Sequence, residues 1–160
     1  VGDGAGVFKS TDRGNNWTQI NNGLDSLETN ILTVDPNDSE TLYLGTDDDG
    51  VYKSTDGGES WKKLTVSSLS KSFGVGDIIV DPQNSNNIYI GTVDYFRLSE
   101  SRGVLGDFGV YKSTDGGATW EEFNVGLNHL GVFSLELSEE NRILYAGTRA
   151  GGVYWISLDN

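Results

Sequence analysis

The sequence predicts an all-β chain built from repeated sheets of four short antiparallel strands, and two observations support this prediction. First, the eight-residue pattern Ser-X-Asp-X-Gly-X-X-Trp occurs three times, each time at the end of a Gly-Val-aromatic-Lys segment. Second, the apolar period of 3.6 residues that marks an amphipathic helix does not run for ten residues anywhere. Because a repeat of fixed length identifies the architecture of a chain, the pattern decides the fold class first.

The spacing of the repeats indicates the blades of a β-propeller. The glycines that open the four repeats, Gly6, Gly50, Gly109 and Gly152, are 44, 59 and 43 residues apart. A period of about 40 to 50 residues is typical of a four-stranded propeller blade. The longer middle interval holds one period and an insertion between Val93 and Asp107.

β-branched and aromatic runs separated by turn residues predict the strands of each blade. Counting them gives 13 strands, or about three and a quarter blades, in blade portions 1–24, 25–66, 67–124 and 125–160. Since a closed propeller needs at least about four blades, we predict a partial propeller, as a fragment, a processed product or part of a larger assembly. After the two earliest strands, the predicted strands are Ile31 to Asp35, Leu42 to Thr46, Val51 to Ser54, Trp61 to Leu64, Ile78 to Asp81, Ile88 to Thr92, Val110 to Ser113, Trp120 to Phe123, Phe133 to Leu137, Leu144 to Thr148 and Val153 to Leu158.

The repeated motif is predicted to stabilise a hairpin between the third and fourth strands of a blade. Its glycine can take a positive φ without steric cost, its aspartate can accept hydrogen bonds from turn amides, and its tryptophan can cover the hairpin. None of these features requires a substrate, so we interpret the motif as structural. The motif residues are Ser10, Asp12, Gly14, Trp17, Ser54, Asp56, Gly58, Trp61, Ser113, Asp115, Gly117 and Trp120.

The motif and its position resemble the Asp-box, or BNR, repeats. These occur in sialidases, sortilin-type receptors, xyloglucan-degrading glycosidases and photosystem II assembly factors, and residues 50 to 58 and 109 to 117 are very similar to the form common in secreted bacterial propellers. The resemblance implies a propeller fold and an extracellular or cell-surface location. It does not imply one activity, because these families differ in function on the same scaffold.

Composition narrows the range of partners. The formal net charge of −13 argues against nucleic acid as a partner. It also argues against a photosystem assembly factor, which would be expected to have a basic patch. The chain has no cysteine, which excludes disulfides and thiol chemistry, and no apolar run approaches the length of a membrane span. We expect no cofactor.

Binding residues are expected on the face opposite the motif hairpins, where long loops on a rigid scaffold commonly bind ligands. The insertion is the least repetitive part, and its aromatic and arginine side chains suit a protein or carbohydrate contact. An aspartate run in the second blade is a weak candidate for Ca²⁺, because it lacks a calcium-loop spacing. The candidate ligand-binding residues are Tyr95, Phe96, Arg97, Arg102 and Arg149, and the aspartates are Asp47, Asp48 and Asp49.

Two functions remain open. The first is a non-catalytic propeller that presents its loops to an extracellular protein or polysaccharide, to itself, or to the remainder of a parent propeller. The alternative is part of a glycoside hydrolase, similar to xyloglucanases or sialidases, whose catalytic residues lie largely outside this chain. The resemblance implies an Arg-Ile-Pro segment in a sialidase, which is absent, and two carboxylates across a cleft in a xyloglucanase. We identify no catalytic residue from the sequence.

Overall fold

The computed structural model describes residues 4–69, 72–94 and 107–159. This part of the chain contains 13 strands and no helix, so it also contains no helix that could cross a membrane. The all-β prediction is confirmed. The strands are β1 Phe8–Lys9, β2 Thr18–Gln19, β3 Thr29–Asp35, β4 Asp38–Thr46, β5 Val51–Ser54, β6 Lys62–Lys63, β7 Gly74–Val80, β8 Ile88–Val93, β9 Val110–Ser113, β10 Glu121–Glu122, β11 Val132–Ser138, β12 Ile143–Thr148 and β13 Gly152–Ser157.

The strands form four antiparallel sheets, which we number as blades in chain order. Blade one is β1-β2, blade two β3-β4-β5-β6, blade three β7-β8-β9-β10, and blade four β11-β12-β13. Each sheet follows the chain order, as in a meander of hairpins. The sheets are not closed into a ring, which confirms the partial propeller.

Strand ends differ from the prediction at both sides of a blade. The inner strands begin earlier, because bulges at Asn30, Gly76 and Phe133 let the pairing continue past an irregular position. The outer strand of blade two is shorter than predicted and does not include Trp61. The Trp61 N–H donates to the carbonyl oxygen of Asn22, in the connection between blades one and two, at 2.8 Å, so it does not pair with the neighbouring strand.

The hydrophobic core lies between neighbouring blades. One cluster, which includes Tyr43, Val51, Ile78 and Ile90, joins blades two and three. Two further clusters join blades one and two and blades three and four. Each blade therefore buries one face against the next, as expected for stacked repeats.

Hydrogen bonds also join the inner strands of adjacent blades. Thr33 Oγ1 donates to the Ile78 carbonyl oxygen at 2.9 Å, and Asn30 Nδ2 donates to the Val75 carbonyl oxygen at 3.0 Å. The Leu135 N–H donates to the Asp77 carboxylate at 2.8 Å. At the end of the strands, buried Asp81 forms a two-point ion pair with Arg142, at 2.9 and 2.6 Å. The first strands of adjacent blades are thus held together by polar as well as apolar contacts.

Candidate functional site

The hairpins divide the chain into two faces. The Asp-box face carries the hairpins between third and fourth strands and between first and second strands. The loop face carries the turns between second and third strands at 46–50 and 148–152, the described ends of the longer connection at 92–94 and 107–109, and the connections between blades.

The three Asp boxes share the same hydrogen bonds among their serine, aspartate and glycine. In blade three, Ser113 Oγ donates to Asp115 Oδ1 at 2.8 Å and accepts the Gly117 N–H at 2.9 Å. The Asp115 carboxylate also accepts the backbone N–H and the hydroxyl of Thr119, at 2.8 and 2.6 Å. All hydrogen-bond donors to these carboxylates belong to the same turn. The motif therefore stabilises a hairpin.

Ionisation of the Asp-box carboxylates is stabilised by these donors. Hydrogen bonds from the Ser60 hydroxyl, then Ser54, lower the pKa of Asp56 to about 2. Hydrogen bonds from Thr119, then Ser113, lower the pKa of Asp115 to about 2. A carboxyl that stays ionised at ordinary pH and faces its own turn is unsuited to proton transfer.

On the loop face, a threonine closes the turn in each of the last three blades. Thr46 Oγ1 donates to the Gly50 carbonyl oxygen and accepts the Asp49 N–H, both at 2.9 Å. Thr148 Oγ1 makes the same pair of bonds, to Gly152 and from Gly151, at 3.0 and 3.1 Å. This threonine turn is the loop-face counterpart of the Asp box.

The two described ends of the insertion in blade three lie side by side and are joined by hydrogen bonds. Thr92 Oγ1 donates to the Gly109 carbonyl oxygen at 2.9 Å and accepts the Phe108 N–H at 3.0 Å. The Asp94 N–H donates to the Asp107 carboxylate at 2.8 Å. The ends of the insertion are therefore held together. The predicted ligand-binding residues Tyr95, Phe96, Arg97 and Arg102 lie outside the described residues and stay a prediction.

Arg149, one of the predicted ligand-binding residues, lies beside Asp94 at the start of the insertion. Its guanidinium donates to the carbonyl oxygen of Asp94 and lies 5.2 Å from the centre of the Phe133 ring. Its backbone N–H donates to the Gly131 carbonyl oxygen at 2.8 Å. Arg149 is exposed and thus combines a fixed position with an accessible charge on the loop face.

The three consecutive aspartates of blade two have different environments. Asp48 accepts the Ser26 hydroxyl at 3.0 Å, and Asp49 accepts Lys63 Nζ and the Tyr52 hydroxyl. Asp47 is half-buried, and its N–H donates to the Glu28 carbonyl oxygen at 2.9 Å. No group of three or more His, Cys, Asp or Glu side chains in the described residues is arranged to hold a metal ion.

Asp47 is the carboxyl of this turn whose ionisation is disfavoured. Burial raises its pKa, the charges of Glu28 and Asp48 raise it further, and a hydrogen bond with Asn30 opposes them. Desolvation and nearby like charges both disfavour the charged form of a carboxyl group. Asp47 therefore holds its proton more strongly than an exposed aspartate does.

Comparison with known proteins establishes the family. The family model Sortilin-Vps10, described as sortilin, neurotensin receptor 3, matches residues 5–154. The chain belongs to the Sortilin-Vps10 family. The match includes all 13 strands except the end of β13, so the resemblance seen in the Asp boxes is confirmed.

Relatives of this Sortilin-Vps10 chain are glycoside hydrolases by name. The xyloglucanase Xgh74A of Acetivibrio thermocellus is 36% identical over an alignment of 96 residues, and the match covers 54% of this chain and 11% of that protein. An ancestral GH74 enzyme has a similar structure, with a TM-score of 0.75 and 26% identity over 96% of this chain and 20% of that one. The GH74 enzyme of Niastella koreensis has a TM-score of 0.66 and 28% identity, over 94% of this chain and 24% of its own.

The Sortilin-Vps10 chain therefore spans about a tenth of the length of the curated xyloglucanase and between a fifth and a quarter of these solved structures. The likeness is to a propeller region of GH74 enzymes. It favours the glycoside hydrolase interpretation over the non-catalytic scaffold.

Sequence reasoning missed two features of this Sortilin-Vps10 chain. The threonine turns had a signal, the dipeptide Gly-Thr at the end of each second strand, as in Gly45-Thr46 and Gly147-Thr148. No sequence signal indicated the environment of Asp47. Glu28 precedes the bulge at the start of β3, and its carbonyl oxygen accepts the Asp47 N–H, a contact that the sequence pattern does not show.

Proposed function

We propose that the loop face forms part of the polysaccharide-binding cleft of a GH74-type glycoside hydrolase, and that the substrate is a β-glucan such as xyloglucan. The observation that carries the proposal is the likeness to GH74 enzymes over 94 to 96% of the chain. Asp47, a half-buried carboxyl on a turn of this face, supports it. The name of the Acetivibrio thermocellus relative, a xyloglucanase, supports the substrate class.

Asp47 is proposed to act as one member of a pair of carboxyl groups. Glycoside hydrolysis commonly needs a protonated carboxylic acid on one side of the scissile bond and a carboxylate on the other. The pKa of Asp47 is shifted in the direction that suits the acid. The second carboxyl is proposed to come from outside this chain, across a cleft.

Arg149, in the turn between the second and third strands of blade four, is proposed to bind the polysaccharide on the same face. Its guanidinium is fixed by Asp94 and by the Phe133 ring, and a fixed guanidinium donates to sugar hydroxyls with little loss of side-chain entropy. Because xyloglucan is a polymer too large to cross a cell membrane, this function also implies an extracellular location.

The second candidate is a protein-binding role without catalysis. It is favoured by the family model, whose description is that of a receptor. In this case the same loops would bind a polypeptide, and the chain would have no affinity for xyloglucan.

Electrophoresis in native gels that contain xyloglucan separates the two candidates. We expect the gel with xyloglucan to retard the chain, and Arg149→Ala to reduce the retardation. Arg13→Ala is the matched control, because it removes the same charge from the Asp-box face and should leave the retardation unchanged. Equal mobility of the unmodified chain with and without xyloglucan would contradict the proposal.

A further inference from the structure

Residues 25–28 form the end of the connection between blades one and two, and we call them the connection segment. They are hydrogen-bonded to the loop-face turn of blade two and to the strand that follows this turn. The Asp25 N–H donates to the Tyr52 hydroxyl at 3.2 Å, and the Glu28 carbonyl oxygen accepts the Asp47 N–H at 2.9 Å. These two bonds lie at opposite ends of the connection segment, so together they fix its position along the turn.

A serine holds the middle of the connection segment. Ser26 Oγ donates to the Asp48 carboxylate in the turn at 3.0 Å and accepts the Glu28 N–H at 3.3 Å. This hydroxyl therefore joins the segment to the turn and also stabilises the bend of the segment itself. The backbone of Glu28 is thus held by two of these hydrogen bonds.

Tyr52 makes the first of these bonds from a buried position in β5. Its side chain is fully buried and packs with Leu44 and Trp61 between blades one and two. Its hydroxyl donates to the Asp49 carboxylate. Because burial, and then the hydrogen bond to Asp49, raise the pKa of Tyr52, the phenol stays neutral at ordinary pH. The oxygen is therefore fixed in place, with its hydrogen directed to Asp49 and a lone pair available to the Asp25 N–H.

The connection segment also places a charge near Asp47. Burial, and then the charges of Glu28 and Asp48, raise the pKa of Asp47, whereas a hydrogen bond with Asn30 lowers it. Asp48 belongs to the same turn as Asp47, and Asn30 belongs to β3. The position of Glu28, in contrast, depends on the segment that Tyr52 holds.

We propose that Tyr52 is a positioning residue of the loop face: its buried hydroxyl holds the connection segment against the turn and thereby keeps Glu28 beside Asp47. The inference rests on the proposed function, in which Asp47 is one of two carboxyl groups. A neutral phenol adds no charge of its own, so it acts on Asp47 through the segment. Tyr52 therefore controls the protonation of Asp47 from inside the junction between blades one and two.

Tyr52→Phe tests the proposal, because it removes the hydroxyl and keeps the ring. We expect the pKa of Asp47, from carbon NMR titration of its carboxyl group, to fall toward 3.8 by at least about 0.5, because Glu28 is held less closely and water reaches the turn. Hydrogen exchange of the Asp47 amide should become at least about fivefold faster, because its acceptor lies in the same segment. Ser26→Ala, which removes the middle bond, should lower the pKa of Asp47 in the same way.

The matched control is Tyr111→Phe. Tyr111 is the corresponding residue of β9 and is 1% exposed, and its hydroxyl lies 3.5 Å from the Glu122 carboxylate in its own blade. This variant should leave the pKa of Asp47 unchanged. An unchanged pKa of Asp47 in both Tyr52→Phe and Ser26→Ala, or an equal fall in Tyr111→Phe, would overturn the proposal.

These measurements separate the role of Tyr52 from the proposed function, because none of them needs a polysaccharide. A fall in the pKa of Asp47 in Tyr52→Phe supports the positioning role even where xyloglucan does not retard the unmodified chain. That combination would contradict the proposed function alone.

Discussion

Lys53 of blade two donates a hydrogen bond of 3.1 Å to the carbonyl oxygen of Gly116 in the Asp box of blade three. Lys9 of blade one makes the same contact, at 2.9 Å, with Gly57 in the Asp box of blade two. In blades one and two, the lysine of the Gly-Val-aromatic-Lys strand therefore links its blade to the Asp-box hairpin of the next blade. The contact joins two recurring parts of the repeat pattern, the strand lysine and the residue that follows the aspartate of the hairpin, across a blade junction.

Replacement of this lysine should weaken a junction between blades. We predict that Lys53→Met lowers the free energy of unfolding by about 1 kcal/mol, because a charge-assisted hydrogen bond is lost while the apolar stem is kept. Urea unfolding measures the effect. Lys62→Met, at an exposed position of β6, is the matched control and should change the free energy by less than about 0.5 kcal/mol. Equal effects of the two variants would argue against the link.

The tryptophans of the Asp boxes should differ in their contribution to stability. Trp120 is 7% exposed, whereas Trp17 is 62% exposed. We predict that Trp120→Ala costs roughly 3 to 5 kcal/mol, because it empties a packed junction, and that Trp17→Ala costs less than about 1 kcal/mol. Thermal and urea unfolding of both variants would measure this difference. Similar losses would show that the motif tryptophan acts within its own hairpin.

The Asp boxes should make stability depend on pH in acid. The pKa of Asp115 is lowered to about 2, so its contribution is fully present above the unfolded-state value of 3.8 and is lost as the pH falls toward 2. Asp115→Asn should therefore reduce the slope of stability against pH between about 4 and 2. Urea midpoints measured across this range provide the comparison. An unchanged slope would mean that the carboxylate is not stabilised by its turn.

Asp47 should show the opposite dependence. Because burial, Glu28 and Asp48 raise its pKa in the folded state, its ionisation destabilises the fold as the pH rises above the unfolded-state value of 3.8. Asp47→Asn should then be more stable than the unmodified chain at neutral pH, and the difference should vanish at low pH. Carbon NMR titration of the side-chain carboxyl gives the pKa directly. A value at or below 3.8 would contradict this account.

Periodicity predicted most of the fold. The bounds of β5 and β9 match the prediction, since Val-Tyr-Lys-Ser lies between two clear turns. The outer strands were predicted too long, because Trp61 looks like a strand residue in sequence but bonds to the preceding connection. Sequence patterns report pairing within a blade better than contacts between blades.

The candidate site was less accessible to sequence reasoning. The loop face and Arg149 were predicted, and the loop-face position of Arg149 follows from its place just after β12. Asp47 was predicted as a weak metal ligand and was not singled out as an acid, because a run of three aspartates does not reveal that Glu28 lies close to one of them. The effect of the Glu28 charge on the pKa of Asp47 depends on how the inter-blade connection packs against the turn, which is a feature of the tertiary structure. It cannot be predicted from a single sequence.

The central claim is that the loop face binds a β-glucan, and a ¹⁵N NMR titration of the chain with a xyloglucan oligosaccharide tests it most directly. The account predicts shifts of the backbone amides of Asp47, Gly131 and Arg149, with the amides of Gly58 and Gly117 in the Asp boxes unchanged. Shifts confined to the Asp-box amides, or no shifts at saturating oligosaccharide, would contradict it.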